Sequence, residues 1–359
     1  MDRTARGMRG IQLAVAAALG LALAGCGGGG GDGGAPPPPA ATLTLDAGNR
    51  DTVAHSTAAG ILAMSPVQTL PLAALSVSSR SAAQRQADMR GAGWLGRVIA
   101  AVRQPERVKA LAAGTTRVRP LTVYGPYDEP CLYSGSFSTT FDDRDNNGDI
   151  GPADVLTLAF NACKDTPDET IDGVVATTVS EISTEVMRAR LTMTNLSDAT
   201  ARHGTTITGS VQLFSEVVNS EVEVMSMTAE GAVVAKVNIY HLSFADTVTL
   251  KNGFAVELTY DAAAVPPGRV TAGLSTLTAN GMLESAAAGG SVQVATRPGA
   301  PIVEADGDDY PYAGEVEVHG KTGTLVMTVL SPDSVRLELD ADDNGVPEST
   351  QSVAWDWLF

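Results

Sequence analysis

The sequence predicts a mainly β protein, an antiparallel meander curved into one sheet or folded as a sandwich, behind a short helical segment near the N-terminus. Two observations carry that expectation. From about residue 130 the chain breaks into short runs of period two, rich in Val, Thr and Leu and separated by Gly, Asn, Asp and Pro, the pattern of half-buried strands joined by turns. Before it, from about residue 43 to 118, the pattern is helical, with Trp94, Leu95, Val98, Ile99 and Val102 on one face and Arg97 and Ala100 on the other. At 359 residues, 44% apolar and 18% charged, the chain is long enough for one large domain or two ordinary ones.

Taken from the N-terminus, Arg3, Arg6 and Arg9 precede an apolar stretch from Ile11 to Ala24, the layout of an export signal and too short for a confident membrane span. It ends in Leu23-Ala24-Gly25-Cys26, which resembles the lipobox of bacterial lipoproteins. That resemblance implies cleavage of residues 1–25 and lipidation of Cys26. Gly27 stands where such proteins carry an Asp for inner-membrane retention, which implies an outer-membrane anchor facing the periplasm, with surface exposure left open. Several acyl chains on one residue give stable anchoring, since each buried CH₂ contributes about 0.8 kcal/mol. Residues 26–42, GGGGGDGGAPPPPAA at their heart, are a flexible-then-stiff tether unable to bury a core.

The helical segment, 43–125, is expected as short pieces, since Pro105 suits the first turn of a further helix carrying Val108 and Leu111. Its residues 80–119 carry nine basic and two acidic side chains, against 11 basic and 35 acidic over 120–359. The segment is therefore expected to dock either on the acidic domain or on anionic headgroups, the former preferred because helices need a packing partner. Over the whole chain, 24 basic against 41 acidic residues give a formal charge of −17, which excludes nucleic acid as a partner on electrostatic grounds.

The β domain is expected over 126–359. Its candidate strands include LYSGSFSTTF, TTITGSVQLF, AVVAKVNIYHL, GFAVELTY, GSVQVATR, GEVEVHG, TLVMTVL and SVRLELD. Gly209, Gly231 and Gly253 fall 22 apart and read as the turns of successive hairpins. The last residues, Val353 to Phe359, resemble the closing strand of outer-membrane barrels, but the chain is only 5% aromatic, too little for two girdles. Trp355, Trp357 and Phe359 are accordingly expected as core packing of a final strand. With Cys26 committed to lipid, Cys131 and Cys163 remain as a pair in an oxidising compartment and read as a disulfide, the alternative being two buried thiols. The bridge would close a loop whose entropy is worth about 3–4 kcal/mol.

The most specific chemistry lies between two of these strands, in Asp143-Arg144-Asp145-Asn146-Asn147-Gly148-Asp149-Ile150-Gly151-Pro152-Ala153-Asp154. Asp143, Asp145, Asn147, the carbonyl of Asp149 and Asp154 occupy positions one, three, five, seven and twelve of a calcium loop, with Gly148 at the sharp turn. The segment resembles EF-hand loops, and with Asp at position twelve the dockerin form, although its flanks read as strands rather than helices. The competing reading is a solvated acidic turn. Asp340, Asp342 and Asn344 repeat D-x-D-x-N-G as a second candidate set, with Gln351 at position twelve and Glu348 nearby; a hairpin turn is preferred there. Glu304, Asp306, Asp308 and Asp309 read as a solvated loop.

No hydrolase motif accompanies the scattered His55, His203, His241 and His319, and Gly91-Ala92-Gly93-Trp94-Leu95-Gly96 lacks the strand that a dinucleotide loop follows. Lipobox, tether, bracketed acidic loop and final D-x-D-x-N-G before a tryptophan strand together resemble a group of uncharacterised lipoproteins of Gram-negative bacteria. The resemblance brings an address and no activity. The function expected is that of a membrane-anchored envelope lipoprotein with a calcium-stabilised β domain in a binding or structural role, its protein or glycan partner unidentified. Two alternatives stand beside it. An envelope hydrolase requires a polar cleft with converging carboxylates or a Ser and His pair. A carrier or assembly factor for an acyl chain or partner strand requires an apolar concave face.

Overall fold

The computed structural model describes residues 40–65, 93–103, 123–219, 221–265, 273–305 and 310–358. The expected export signal, Cys26, the helix expected after Pro105, and Asp306, Asp308, Asp309 and Phe359 lie outside them. Among the described residues no helix is long and apolar enough to cross a membrane.

Sixteen strands form one antiparallel sheet, so the curved single sheet, not the sandwich, is the architecture. The first seven strands run as a meander: β1 (Val123–Pro130), β2 (Ser134–Asp142), β3 (Val155–Lys164), β4 (Thr170–Ile182), β5 (Val186–Ala199), β6 (His203–Val217) and β7 (Val222–Ile239). Next, β8 (Phe244–Leu250) and β9 (Ala255–Asp261) lie end to end beside β7, which pairs with β9 over Val222–Thr228 and with β8 over Val233–Ile239. Strand β10 (Leu274–Ser285) flanks both on their other side. The order continues through β11 (Gly290–Thr296), β13 (Glu315–His319), β14 (Thr324–Ser331), β15 (Ser334–Asp340) and β16 (Ser349–Ala354), while β12 (Ile302–Ala305) pairs with the first half of β10.

Alternation sets which face is buried. In β5, Met187, Ala189, Leu191 and Met193 point into the core and Arg188, Arg190 and Thr192 out of it, until a slip at Thr194–Asn195 makes Leu196 the next buried residue. That slip belongs to an unbroken line of bulges from β2 to β10. Gly135 abuts Ala162 of β3, Gly173 abuts Asn195 of β5, Gly209 of β6 abuts Ala232 and Val233 of β7, and Gly281 of β10 abuts Phe254 in the break between β8 and β9. Each bulge bends its strand and adds right-handed twist, and aligned bulges fold the sheet along one crease. Gly209 and Gly231 are therefore bulge residues within strands rather than hairpin turns; Gly253 alone of the three lies in a connection. Both devices need a backbone with positive φ, +144° at Gly209 and +81° at Gly231, so glycine serves either.

The trough holds helix α1 (Arg50–Met64), whose residues Val53 to Ile61 are all buried. It touches β7, β8, β9, β10 and β14. A helix surrounded on every side needs slim residues rather than one apolar stripe, and Ala54, Ser56, Thr57, Ala58, Ala59 and Gly60 supply them. A Cβ on Gly60 would sit 2.6 Å from Leu283 Cδ1. A buried polar pin fixes the helix: the hydroxyls of Ser56 and of Ser285 in β10 each donate to Asp246 Oδ2 in β8 at 2.6 Å, while the Ala287 amide donates to Asp246 Oδ1 at 2.8 Å.

Helix α2 (Gly93–Arg103) buries Trp94, Leu95, Val98, Ile99 and Val102 as its spacing predicts. Arg97, on the other face, is half-buried. It forms an ion pair with Asp165 and lies 4.5 Å over the Phe137 ring, so this part of the basic segment docks on the acidic domain. The expected final strand stops at Ala354, opposite Ser334. Trp355–Leu358 form one helical turn, α3, in which Trp355 stacks on Tyr310 at 5.6 Å and donates from Nε1 to the Ser331 carbonyl. Trp355 is core, as expected, but not strand, and the likeness to a barrel's closing strand does not hold.

The crease makes unequal demands on its glycines. A Cβ at Gly209 would meet the Ala232 carbonyl and the Val233 Cα at 2.8 Å, whereas nothing lies within 4 Å at Gly231. In denaturant titrations Gly209→Ala is expected to destabilise by about 3 kcal/mol, and Gly231→Asn, which tolerates a left-handed backbone, by under about 1 kcal/mol.

Candidate metal centres

The twelve-residue connection from β2 to β3 is a compact cradle of backbone donors. Asp143 accepts the amides of Asn147 (3.1 Å) and Gly148 (2.7 Å). Asp145 accepts the Asn147 amide at 3.1 Å and its side-chain Nδ2 at 2.8 Å. Asp154 accepts the amides of Arg144 and Gly151 at 2.8 and 2.7 Å. Asp143 and Asp154 are wholly buried, and the loop's end is tied to β4, the Val179 amide donating to the Asp154 carbonyl and the Ala153 amide to the Val179 carbonyl. One carboxylate oxygen from each of Asp143, Asp145 and Asp154 lies within 4.8 Å of the other two. Burial pushes the Asp143 carboxyl up, helped by its contact with Asp145 and the charge of Asp154, while the Gly148 and Asn147 amides oppose the rise. A divalent cation would relieve the crowding of three hard oxygen donors. Of the remaining expected ligands, Asn147 turns its Oδ1 to the Asp149 amide at 2.6 Å, and Asp149 stands exposed, outside the trio.

The second loop, between β15 and β16, repeats five of the first loop's hydrogen bonds and lacks counterparts of those from Asn147 Nδ2 and the Gly151 amide. Asp340 accepts from Asn344 (3.0 Å) and Gly345 (2.6 Å), Asp342 accepts from Asn344, and Asn344 Oδ1 accepts from Val346. The Ala341 amide donates to Glu348 at 2.7 Å, as the Arg144 amide donates to Asp154. Asp340, Asp342 and Glu348 bring oxygens within 4.8 Å of one another. Glu348 therefore takes the place of Asp154 by reaching back from a nearer position, and Gln351 binds Arg50 instead. This site is more open than the first, with Asp342 and Glu348 exposed.

Cys131 and Cys163 form the disulfide, with Cα atoms 5.5 Å apart. It brackets the acidic loop in sequence but not in space, because it closes the opposite end of the β2–β3 hairpin, about 30 Å away at strand rise. The bridge constrains the register of the hairpin rather than the ends of the loop. Beside it the Leu132 amide donates to Asp165 at 3.1 Å.

A second feature was not legible in the sequence. A cavity of about 1,020 Å³ lies in the trough, walled by Ile61 of α1, Leu277 of β10, Val316 of β13, Met327 of β14 and Val335 of β15. At its polar end Glu169 and Asp198 are hydrogen-bonded carboxyls. The pairing of Thr170 with Ala199 and of Ile171 with Asp198 across β4 and β5 brings them together. Burial, then the charge of Asp198, pushes Glu169 up from 4.5 to about 7, and burial raises Asp198 as well. His203, one of the four scattered histidines, lies here and is pushed down by burial. Two carboxyls in direct contact leave no room for the separations of about 5–9 Å that glycosidases use, which weighs against the glycan-hydrolase alternative at this pair.

No family model matches the chain, and no curated protein or solved structure is detectably similar to it.

Glu169 has a folded pKa above its unfolded value, so its contribution to stability is full below about pH 4.5 and is lost as pH rises through about 7. Denaturant midpoints followed against pH are expected to fall over that window, and Glu169→Gln, which stays neutral, to flatten the fall.

Proposed function

We propose that this chain is an envelope lipoprotein acylated at Cys26 and held by the 26–42 tether at the periplasmic face of the outer membrane, with a β domain stabilised by calcium in a binding or structural role. Asp143, Asp145 and Asp154 supply the first calcium's carboxylate ligands; Asn147 and the Asp149 carbonyl complete the set after the Asn147 amide turns. Asp340, Asp342 and Glu348 form a weaker, more open second site, with Asn344 holding its turn. The observation that carries this reading is the repetition of one hydrogen-bond lattice in two separate loops, each gathering three carboxylates. An ordinary acidic turn has no need to aim three like charges at one point. The metal is calcium rather than magnesium because a loop of this kind offers many adaptable oxygens instead of a rigid octahedron.

Thermal melts of the oxidised full-length chain, in chelator and then in millimolar calcium or magnesium, test the ion. At about a hundredfold over its dissociation constant calcium should add about 2.7 kcal/mol, a shift of several degrees. Asp143→Ala should remove most of that shift, and Asp340→Ala a smaller part. An unchanged midpoint for the unsubstituted chain would reduce both loops to solvated turns. For the anchor, Cys26→Ser is expected to move the protein from the membrane pellet to the soluble periplasmic fraction.

A further inference from the structure

We propose that the trough cavity is a binding site for a cationic amphiphile, a ligand with one alkyl chain and a protonated amine head, the head resting against Glu169 and Asp198 and the chain lying along Ile61, Leu277, Met327 and Val335. This goes beyond the metal loops and does not depend on them. At about 1,020 Å³ the space matches pockets that enclose a drug-sized molecule, about 300–1,000 Å³. Its long wall is aliphatic, contributed by α1, β10, β14 and β15, and its polar end is where β4 begins and β5 finishes.

The sign of the head group follows from the charges there. Asp168, Glu169 and Asp198 all line the cavity. Of the nearby cations, Arg202 holds Asp356 at 2.9 Å, and Arg97 holds Asp165 while its charge offsets only part of the rise at Glu169. His203, whose Nδ1 meets the Thr200 hydroxyl, is pushed down by burial against the opposing charge of Asp198. Asp198 Oδ1 is shut off from solvent, and hence from the cavity, without a hydrogen-bond donor, so the head meets the pair through its other carboxylate oxygens. An ammonium head offers three donors and a charge of the right sign. A fatty-acid carboxylate would instead add a third like charge to a carboxyl pair that already shares a proton. Binding should therefore expel the proton held on Glu169, because a cation beside the pair favours both carboxylates.

The test is calorimetry on the oxidised full chain carrying Cys26→Ser, which dispenses with detergent, using dodecylamine below its micelle concentration, with dodecanoate and dodecanol as comparators. Dodecylamine is expected to bind saturably at one site, at least about tenfold tighter than dodecanoate. At neutral pH, titrations in buffers of different ionisation enthalpy should show net proton release. Met327→Trp, which fills the cavity, should abolish binding of all three. Asp198→Asn should weaken dodecylamine about tenfold and leave dodecanol unchanged; if that variant does not fold, Glu169→Gln should bind the amine without releasing protons. Equal or tighter binding of dodecanoate, binding that survives Met327→Trp, the absence of proton release, or no saturable binding of the amine would each overturn the proposal.

Discussion

The crease from β2 to β10 is the constraint on which the rest of the structure depends. A meander of this width would otherwise be a twisted ribbon with one apolar face open to water. Because each bulge abuts the next, the bend is shared by neighbouring strands and cannot be corrected in one alone. Where it reaches β7, β8, β9 and β10 the strands exchange partners: β7 leaves β9 for β8, and the break at Lys251–Phe254 is stitched by the Lys251 amide to the Met282 carbonyl and the Ala229 amide to the Phe254 carbonyl. The resulting trough has the width of a helix, which explains why α1 is built from small residues and is pinned at its middle through Ser56 and Asp246.

The functional features sit at the ends of elements that this bend positions. The acidic loop is the far turn of the β2–β3 hairpin, beyond the crease, with Asp154 anchored to β4 through Val179. The polar end of the cavity lies at the opposite end, where β4 begins, close to the disulfide and the Arg97–Asp165 pair. Burial is the shared physical cause of the perturbed groups in both places. In the loop it is opposed by backbone amides aimed at the carboxylates; at Glu169 the charge of Arg97 opposes it, and at Asp198 the contact with Glu169 and the charge of His203 do.

Much of the fold was legible because alternation survives wherever a strand runs unbroken, as in Val335, Leu337 and Leu339 of β15. It was less legible where bulges reset the period. Strands β4 and β5, interrupted at Gly173 and Asn195, do not read as single strands of 13 and 14 residues. Glycine at positive φ marks a turn and a bulge alike, hence the different fate of Gly209 and Gly231. The end of β16 depends on where its neighbour stops, which no local pattern records. For the sites, the D-x-D-x-N-G spacing located both loops, yet a fixed position twelve pointed to Gln351 when the backbone had brought in Glu348. Glu169 and Asp198 left no signal at all, since only the register of β4 against β5 makes them neighbours.

The placement of α1 has a consequence for how the chain reaches this state. Arg50 hydrogen-bonds to Ser349 across a sequence separation of 299, and the ring of His55 meets the Leu358 carbonyl across 303. The helix that fills the centre of the sheet is thus made early in synthesis, while the strands that enclose it come last. Contacts of such high order slow folding, and a chain emerging N-terminus first would hold α1 against a half-built sheet, one flank of the helix uncovered until β14 to β16 are added. Such an intermediate invites aggregation. Protection of the unfinished chain, as by holdase chaperones, until the last strands are in place is therefore a requirement set by the topology itself.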